Sequence, residues 1–421
     1  MKLPLTIGTA PDGSLVRLPL DALRRHMLAL GASGSGKTVL CKVIVEECIR
    51  QRLPVIAIDP QGDLASLALE EDPAKLVALG VDATVAREFR QRVDVKIWTP
   101  GSTMGIPLSF APAVAIPAGL SRENRIRAFG SAGSALASVN GSTDEATQVA
   151  FAMVLEYADT HNIACDRLDD FIQLLADPPM LLARQLEPVF DARLRAKAHK
   201  ALVLKTLGPN RLLFDLGLPI DIGELFGLYD APSNRTRLSV IYLNTLASQD
   251  EKDTFMALLC AAMYQWILGL DGSKLWGLLY VDEVAAYLPP VKTTASKQGL
   301  MLLLRQARKY GLCCLLATQS PGDIDYKALG QVGTIALGRI FGERALSKVE
   351  PLIRALPGTD SEGIMRTLPS MAKGHFALIN PDEFAHGPAE VKVRWLASQH
   401  RTMAADEVAA LVSDTDRARF G

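Results

Sequence analysis

No paired metal-ligand spacing joins the six cysteines, Cys41, Cys48, Cys165, Cys260, Cys313 and Cys314, to histidine partners. Most of them sit in apolar runs, so they read as buried free thiols of a reducing cytoplasm, not as disulfides or a zinc site. Charge excess is also missing: 45 Lys and Arg against 46 Asp and Glu leave a net charge of −1. That excludes a polycation that coats nucleic acid broadly, but not a local basic surface. The opening MKLPLTIGTAPDGS lacks the apolar core of a signal peptide. The most membrane-like run, Phe255 to Leu270, falls short of the ~20 residues that span a bilayer and carries Gln265, so a buried core helix is expected. A longer uncharged run, Thr99 to Ser121, is broken as a helix by Pro100, Pro107, Pro112 and Pro117. There is no internal repeat and no low-complexity tract. What remains is a chain of 421 residues, 49% hydrophobic and 22% charged, an ordinary globular composition with length for about two to three domains.

Along the chain, LPLTIGTAPDGSLVRLPL reads as strand, turn and strand about Pro11-Asp12-Gly13. His26–Leu30 is a short apolar run entering a glycine loop, Val39–Ile49 a mostly buried helix, and Leu53–Asp59 and Val93–Trp98 are strands. Strands alternating with helices predict an α/β fold with a mainly parallel central sheet covered by helices on both faces. From about residue 119 to 236 only helical patterns occur, which predicts an all-helical insertion. Strand signals resume at Leu238–Leu243, Leu275–Val281, Leu312–Thr318, Thr334–Leu337, His375–Ile379 and Val391–Leu396, and a C-terminal helix closes the chain. The expected division is 1–118 and 237–400 for the two parts of one motor domain, 119–236 for the insertion and 401–421 for a helical tail.

Gly31-Ala32-Ser33-Gly34-Ser35-Gly36-Lys37-Thr38, followed by Val39, fits G-x-x-x-x-G-K-[ST]. Its glycines let successive N–H groups face one centre, and the helix that begins there adds its positive end. In this pattern Lys37 reaches the β- and γ-phosphates of ATP and Thr38 binds Mg²⁺. Two later strands end on acids, VIAIDPQGDL at Asp59 and GLLYVDEV at Asp282. Asp282 is followed by Glu283, which can activate a water, whereas Asp59 is followed by Pro60, which cannot. Asp282 is therefore assigned to Mg²⁺ and Glu283 to the catalytic base. The next strand ends in Thr318-Gln319-Ser320, with Gln319 the candidate sensor of the γ-phosphate.

GASGSGKT, IDPQGDL, YVDE, LLRQARKYGLCCLLATQSPGDID and AEVKVRWLASQH together resemble the HerA/FtsK superfamily of P-loop ATPases, and HerA-like helicases most closely. The resemblance covers roughly residues 1–118 and 237–400. It implies a RecA-like fold, ATP and Mg²⁺ as cofactors, a homo-oligomeric and typically hexameric ring, and DNA as the translocated partner. It also implies an extra strand between the P-loop strand and the acidic strand, so that Asp59 ends a strand near the nucleotide. Asp59 and Asp63 are then outer groups of the site or subunit contacts, with a helix N-cap the plain alternative for Asp63. Only about 25 residues precede the first motor strand, which leaves no room for the N-terminal barrel of HerA-like proteins and puts barrel-mediated docking of a nuclease in doubt.

For a trans-acting arginine the candidates are Arg305, Arg308, Arg339 and Arg344, with Arg339 preferred because it follows a strand end pointing off the sheet edge. Arg394 and His400 resemble a family segment near the nucleotide edge and receive no role. Lys292 and Lys297, in a loop with small hydroxyl residues, are the candidates for DNA phosphate contact. The basic run Arg193, Arg195, Lys197, His199, Lys200 and Lys205 reads as the wet face of an amphipathic helix. The expected function is a cytoplasmic, membrane-free, ring-forming ATPase that translocates or unwinds double-stranded DNA, with a nuclease or other effector as a further partner. The alternatives are a protein or conjugative export ATPase and a nucleotide-gated scaffold.

Overall fold

The computed structural model describes residues 4–110, 116–165, 167–231, 233–319, 321–354, 360–384 and 387–420; Pro112 and Ser320 lie outside them. Twelve strands form one sheet: β1 Leu5–Thr9, β2 Leu15–Leu18, β3 Met27–Leu30, β4 Val55–Asp59, β5 Val93–Pro100, β6 Ile106–Leu108, β7 Thr236–Tyr242, β8 Gly277–Val281, β9 Leu312–Thr318, β10 Thr334–Leu337, β11 His375–Ile379 and β12 Ala389–Val393. Their order is β2-β1-β12-β11-β10-β3-β9-β8-β4-β7-β5-β6. The eight from β10 to β6 run parallel, and the four at the other end pair antiparallel. The inner parallel strands are buried along their whole length, as continuous Val, Ile and Leu runs require. The sheet is thus mixed but mostly parallel, with β9 between the P-loop strand β3 and the acidic strand β8.

The first helix, α1 Lys37–Arg50, leaves the glycine loop and is followed by α2 Pro73–Ala78 and α3 Ala83–Arg92. The stretch 119–235 holds α4 Arg122–Val139, α5 Glu145–Thr160, α6 Leu168–Ala176, α7 Met180–Leu186, α8 Ala192–Lys205, α9 Arg211–Phe214 and α10 Ile222–Leu225. Among its described residues there is no strand, only an isolated bridge from Leu218 to Leu108. These helices do not form a free module: α4 packs on α11 Gln249–Ile267, and the amides of Ser109 and Phe110 donate to Leu218 and Leu213 at 2.7 and 2.6 Å. The run expected to be a buried core helix lies in α11 as far as Ile267 and is buried through most of its length; no helix among the described residues is long and apolar enough to cross a membrane. The remaining helices are α12 Ala295–Gln306, α13 Tyr326–Leu329, α14 Glu343–Arg354, α15 Ser361–Thr367, α16 Ala405–Ala410 and α17 Asp414–Phe420.

Two expectations are corrected, and one strand appears that no sequence pattern announces. The C-terminal helix is two, α16 and α17, interrupted at Leu411–Ser413. The last strand ends at Val393, because Trp395 and Leu396 turn away to pack toward Val39 and Val43 of α1. The edge strand β6 is three residues long and contains Pro107, so it carries no strand pattern of its own.

His26 fixes the entry to β3. Its ring is 1% exposed; Nδ1 accepts from the Cys314 amide at 3.0 Å, and Nε2 lies 3.0 Å from the Leu304 carbonyl, to which it donates. Burial lowers its pKa from 6.5 to about 4. The folded state therefore binds fewer protons than the unfolded chain between those values, and stability falls as pH drops from 6.5 toward 4. The gap corresponds to on the order of 3 kcal/mol. Urea midpoints measured across that range are expected to decline in the parent and to decline less steeply in His26→Gln; identical slopes would remove His26 as the titrating group.

Candidate nucleotide site

The glycine loop occupies the turn from β3 into α1. Gly34 and Gly36 have φ of +73° and +101°, and a Cβ at Gly36 would meet the Gly374 backbone at 3.2 Å, so the curl needs glycine there on both counts. The loop is held from outside. The Ala32 amide donates to the Arg339 carbonyl at 2.7 Å, and the Gly374 amide donates to the Ser35 carbonyl at 2.9 Å. Lys37 is 8% exposed and donates to the Gly31 and Ala32 carbonyls at 2.6 and 3.3 Å. Burial lowers its pKa, against the raising effect of Glu283 and Asp282. Thr38 follows on the first turn of α1 and Val39 is buried below it.

Two strands away, Asp282 is 7% exposed and accepts from the Tyr280 hydroxyl at 3.0 Å. Burial raises its pKa to about 6; the Tyr280 bond opposes the rise, and the charges of Asp59 and Glu283 add to it. Glu283 stands in the left-handed region at φ +47°, a strained conformation for a residue with a Cβ. Its Oε1 accepts from the Thr318 hydroxyl at 3.1 Å and the Gln319 amide at 3.4 Å. It is Thr318, by its side chain, and the Gln319 backbone that meet Glu283; the Gln319 side chain is exposed.

Other expected residues stand elsewhere. Asp59 ends β4, on the far side of β8 from the glycine loop. It is fully buried and accepts from the amides of Gln61, Gly62, Asp63, Leu64 and Ala65 at 2.7 to 3.4 Å. It organises its own turn; Asp63, for which an N-cap was one of the alternatives, accepts from the Thr402 hydroxyl. Arg339 follows β10, which is interior, between β11 and β3, so it does not point off a sheet edge. Its carbonyl is tied to the Ala32 amide of the glycine loop of its own chain, and its Nε is buried without a partner among the described residues. Arg305 and Arg308 precede β9, at the opposite end of the strands from the glycine loop, where they line a cavity with His26. Arg344 is exposed on α14, and the basic run of α8 buries only Ala198 and Leu202. Lys292 is exposed, but Lys297 is engaged with Asp325 at 2.8 Å and the Pro289 carbonyl at 2.7 Å, so it is not free for phosphate.

A buried charge network under the site went unread. Glu46 of α1 is fully buried and accepts from Arg394 Nη1 at 2.9 Å, from the Ala397 and Ser398 amides, and from the Ser398 hydroxyl. Lys42 donates to Ser66 at 2.7 Å, and burial lowers its pKa to about 8. Charges recurring at Lys42 and Glu46 in an otherwise apolar helix were the signal. Arg394 thus anchors the chain after β12 to α1, and His400 lies in the same region, its pKa lowered by burial and by Lys42. Glu46→Ala should cost about 3–5 kcal/mol, because Arg394 and two amides lose their acceptor in a buried place. Denaturant midpoints check this, and a loss within about 0.5 kcal/mol would class Glu46 with ordinary surface positions.

The donor set suits a magnesium nucleotide. Ser35 Oγ is buried without a partner in the loop, and no cluster of three or more His, Cys, Asp or Glu able to hold a metal exists among the described residues. One carboxylate beside a hydroxyl and a phosphate loop is the usual environment of Mg²⁺, which keeps several waters.

The family model described as helicase HerA, central domain, matches residues 5–110. No curated protein matches the sequence significantly. Among solved structures, VirB4 of Thermoanaerobacter pseudethanolicus has a TM-score of 0.60 at 14% identity, covering 93% of this chain and 96% of its own. The bacterial conjugative coupling protein TrwB, unbound, has 0.59 at 14% identity, covering 96% and 91%. TrwB in complex with ADP and Mg²⁺ has 0.57 at 14% identity, covering 97% and 93%. At such identities the structural likeness is one of fold, and the fold is the RecA-like P-loop one. The HerA-type match thus runs over β1 to β6, and the chain as a whole shares the P-loop fold of these structures.

Proposed function

We propose that the chain is an ATP-hydrolysing, ring-forming cytoplasmic motor that translocates or unwinds double-stranded DNA. The observation that carries the reading is the convergence of Lys37 with the Asp282-Glu283 pair across a single intervening strand, whose end holds Glu283. Lys37 leaves the Gly31 and Ala32 carbonyls for the phosphates. Thr38 and Asp282 would hold Mg²⁺, which supplies charge neutralisation at the phosphate oxygens. Glu283, oriented by Thr318, takes the proton of the attacking water, and Gln319 reports on the γ-phosphate. Arg339 neutralises charge on the nucleotide of its own chain, and Lys292 contacts DNA phosphates.

ATP hydrolysis with and without duplex DNA, beside the assembly's mass, tests the reading. DNA-stimulated turnover by a ring, six subunits by analogy with HerA-like relatives, is expected. Turnover indifferent to DNA, with assembly dependent on ATP, would favour a nucleotide-gated scaffold that recruits a nuclease or other effector. The fold likeness to TrwB and VirB4 supports a second reading, an ATPase of protein or conjugative export, with the same site chemistry and a different cargo.

A further inference from the structure

The segments leaving β8 and β9 are tied together twice. At the nucleotide end, Glu283 holds Thr318 and the Gln319 amide. Farther out, Lys297 Nζ lies 2.8 Å from Asp325 Oδ2 and donates to the Pro289 and Pro290 carbonyls at 2.7 and 3.3 Å, while the Asp325 amide donates to the Leu288 carbonyl at 2.8 Å. The two side chains of the ion pair are 13% and 10% exposed. An open surface pair would contribute little; this one is shielded and shares its ammonium with two carbonyls, so removing either partner leaves polar groups unmatched.

Each partner is also seated on a helix start. Thr294 Oγ1 accepts from the Lys297 amide at 3.2 Å and caps α12, and Asp325 Oδ1 accepts from the Lys327 amide at 2.9 Å and caps α13. The pair therefore cannot shift without moving both helix ends. The tips beside it are bare: Val291 is 90% and Tyr326 74% exposed, with Lys292 next to Val291. Side chains this apolar are exposed at the tips of braced segments, one of which starts at the acidic pair.

We propose that the Lys297–Asp325 pair locks residues 288–297 and 324–327 into one jaw, so that a displacement of Glu283 on nucleotide binding moves Val291, Lys292 and Tyr326 together. Lys297 is then a positioning residue. The linkage needs only a nucleotide at the glycine loop; that the jaw touches DNA rests on the function proposed above.

All six cysteines of the parent are buried, so a Val291→Cys variant takes an environment-sensitive dye selectively. On adding a non-hydrolysable ATP analogue with Mg²⁺, the dye signal is expected to change in this parent. It should be lost in Lys297→Met and Asp325→Asn, with analogue affinity retained, and should return in the exchanged pair Lys297→Asp with Asp325→Lys. Thermal unfolding of Lys297→Met shows that the fold persists. No response in the labelled parent, or an undiminished response in Lys297→Met, overturns the jaw. A response that depends on Lys297, in a protein whose ATPase ignores DNA, upholds the jaw and removes the DNA motor.

Discussion

Arg339→Ala should bind ATP and lose hydrolysis, by a factor of about 10³–10⁵ if the arginine acts as such groups do in other phosphoryl-transfer enzymes. The backbone of Arg339 holds the glycine loop through the Ala32 amide, and that bond survives the substitution. The side chain keeps Nε buried without an acceptor among the described residues, which suits an anion arriving beside it. Because the backbone of Arg339 is bonded to its own loop, an arginine acting on its own chain's nucleotide is expected, and mixing Arg339→Ala with Lys37→Ala subunits should rescue nothing: one has no arginine for its intact loop, the other no lysine. Single-turnover hydrolysis in mixed assemblies measures this. Recovered activity at any mixing ratio would show that the arginine reaches a neighbour's nucleotide instead.

Glu283→Gln should retain nucleotide binding and lower hydrolysis about 10²–10⁴-fold, the usual contribution of a positioned base. The amide keeps an oxygen to accept from Thr318 and the Gln319 backbone, so geometry is conserved while the proton acceptor is lost. A companion variant separates chemistry from strain. Glu283→Gly relieves a left-handed conformation that costs a residue with a Cβ about 1–2 kcal/mol, so it should abolish turnover without matching loss of stability. Near-parental rates in Glu283→Gln would end its assignment as base.

The inner parallel strands were legible because burial on both faces demands unbroken apolar runs; Leu312–Thr318 and Thr334–Leu337 form over the expected residues. The glycine loop was legible because its backbone shape leaves little choice of residue at Gly34 and Gly36. What escaped was partnership across long separations. The residues after them, Glu283 and Pro60, separate Asp282 from Asp59 as site acids, but the five amides that curl over Asp59 and give it its own task are visible only in the fold. Lys297 resembles any loop lysine until Asp325 is brought to it, and Arg339 resembles an edge residue until β11 covers β10. Strand β6 escaped for a local reason, since three residues around a proline carry no period.

The sheet's two borders bear on how copies of this chain can join. At one border β6 offers Pro107, which has no amide to donate, and α17 lies against it; at the other, β2 is four residues long and carries Arg17. Among the described residues, neither margin offers a long row of open backbone groups to a neighbour's strand. Subunits that meet must therefore do so through side chains and loops, leaving each twelve-strand sheet a separate rigid plate. Plates joined in that way can tilt against one another through a cycle without breaking a single backbone ladder.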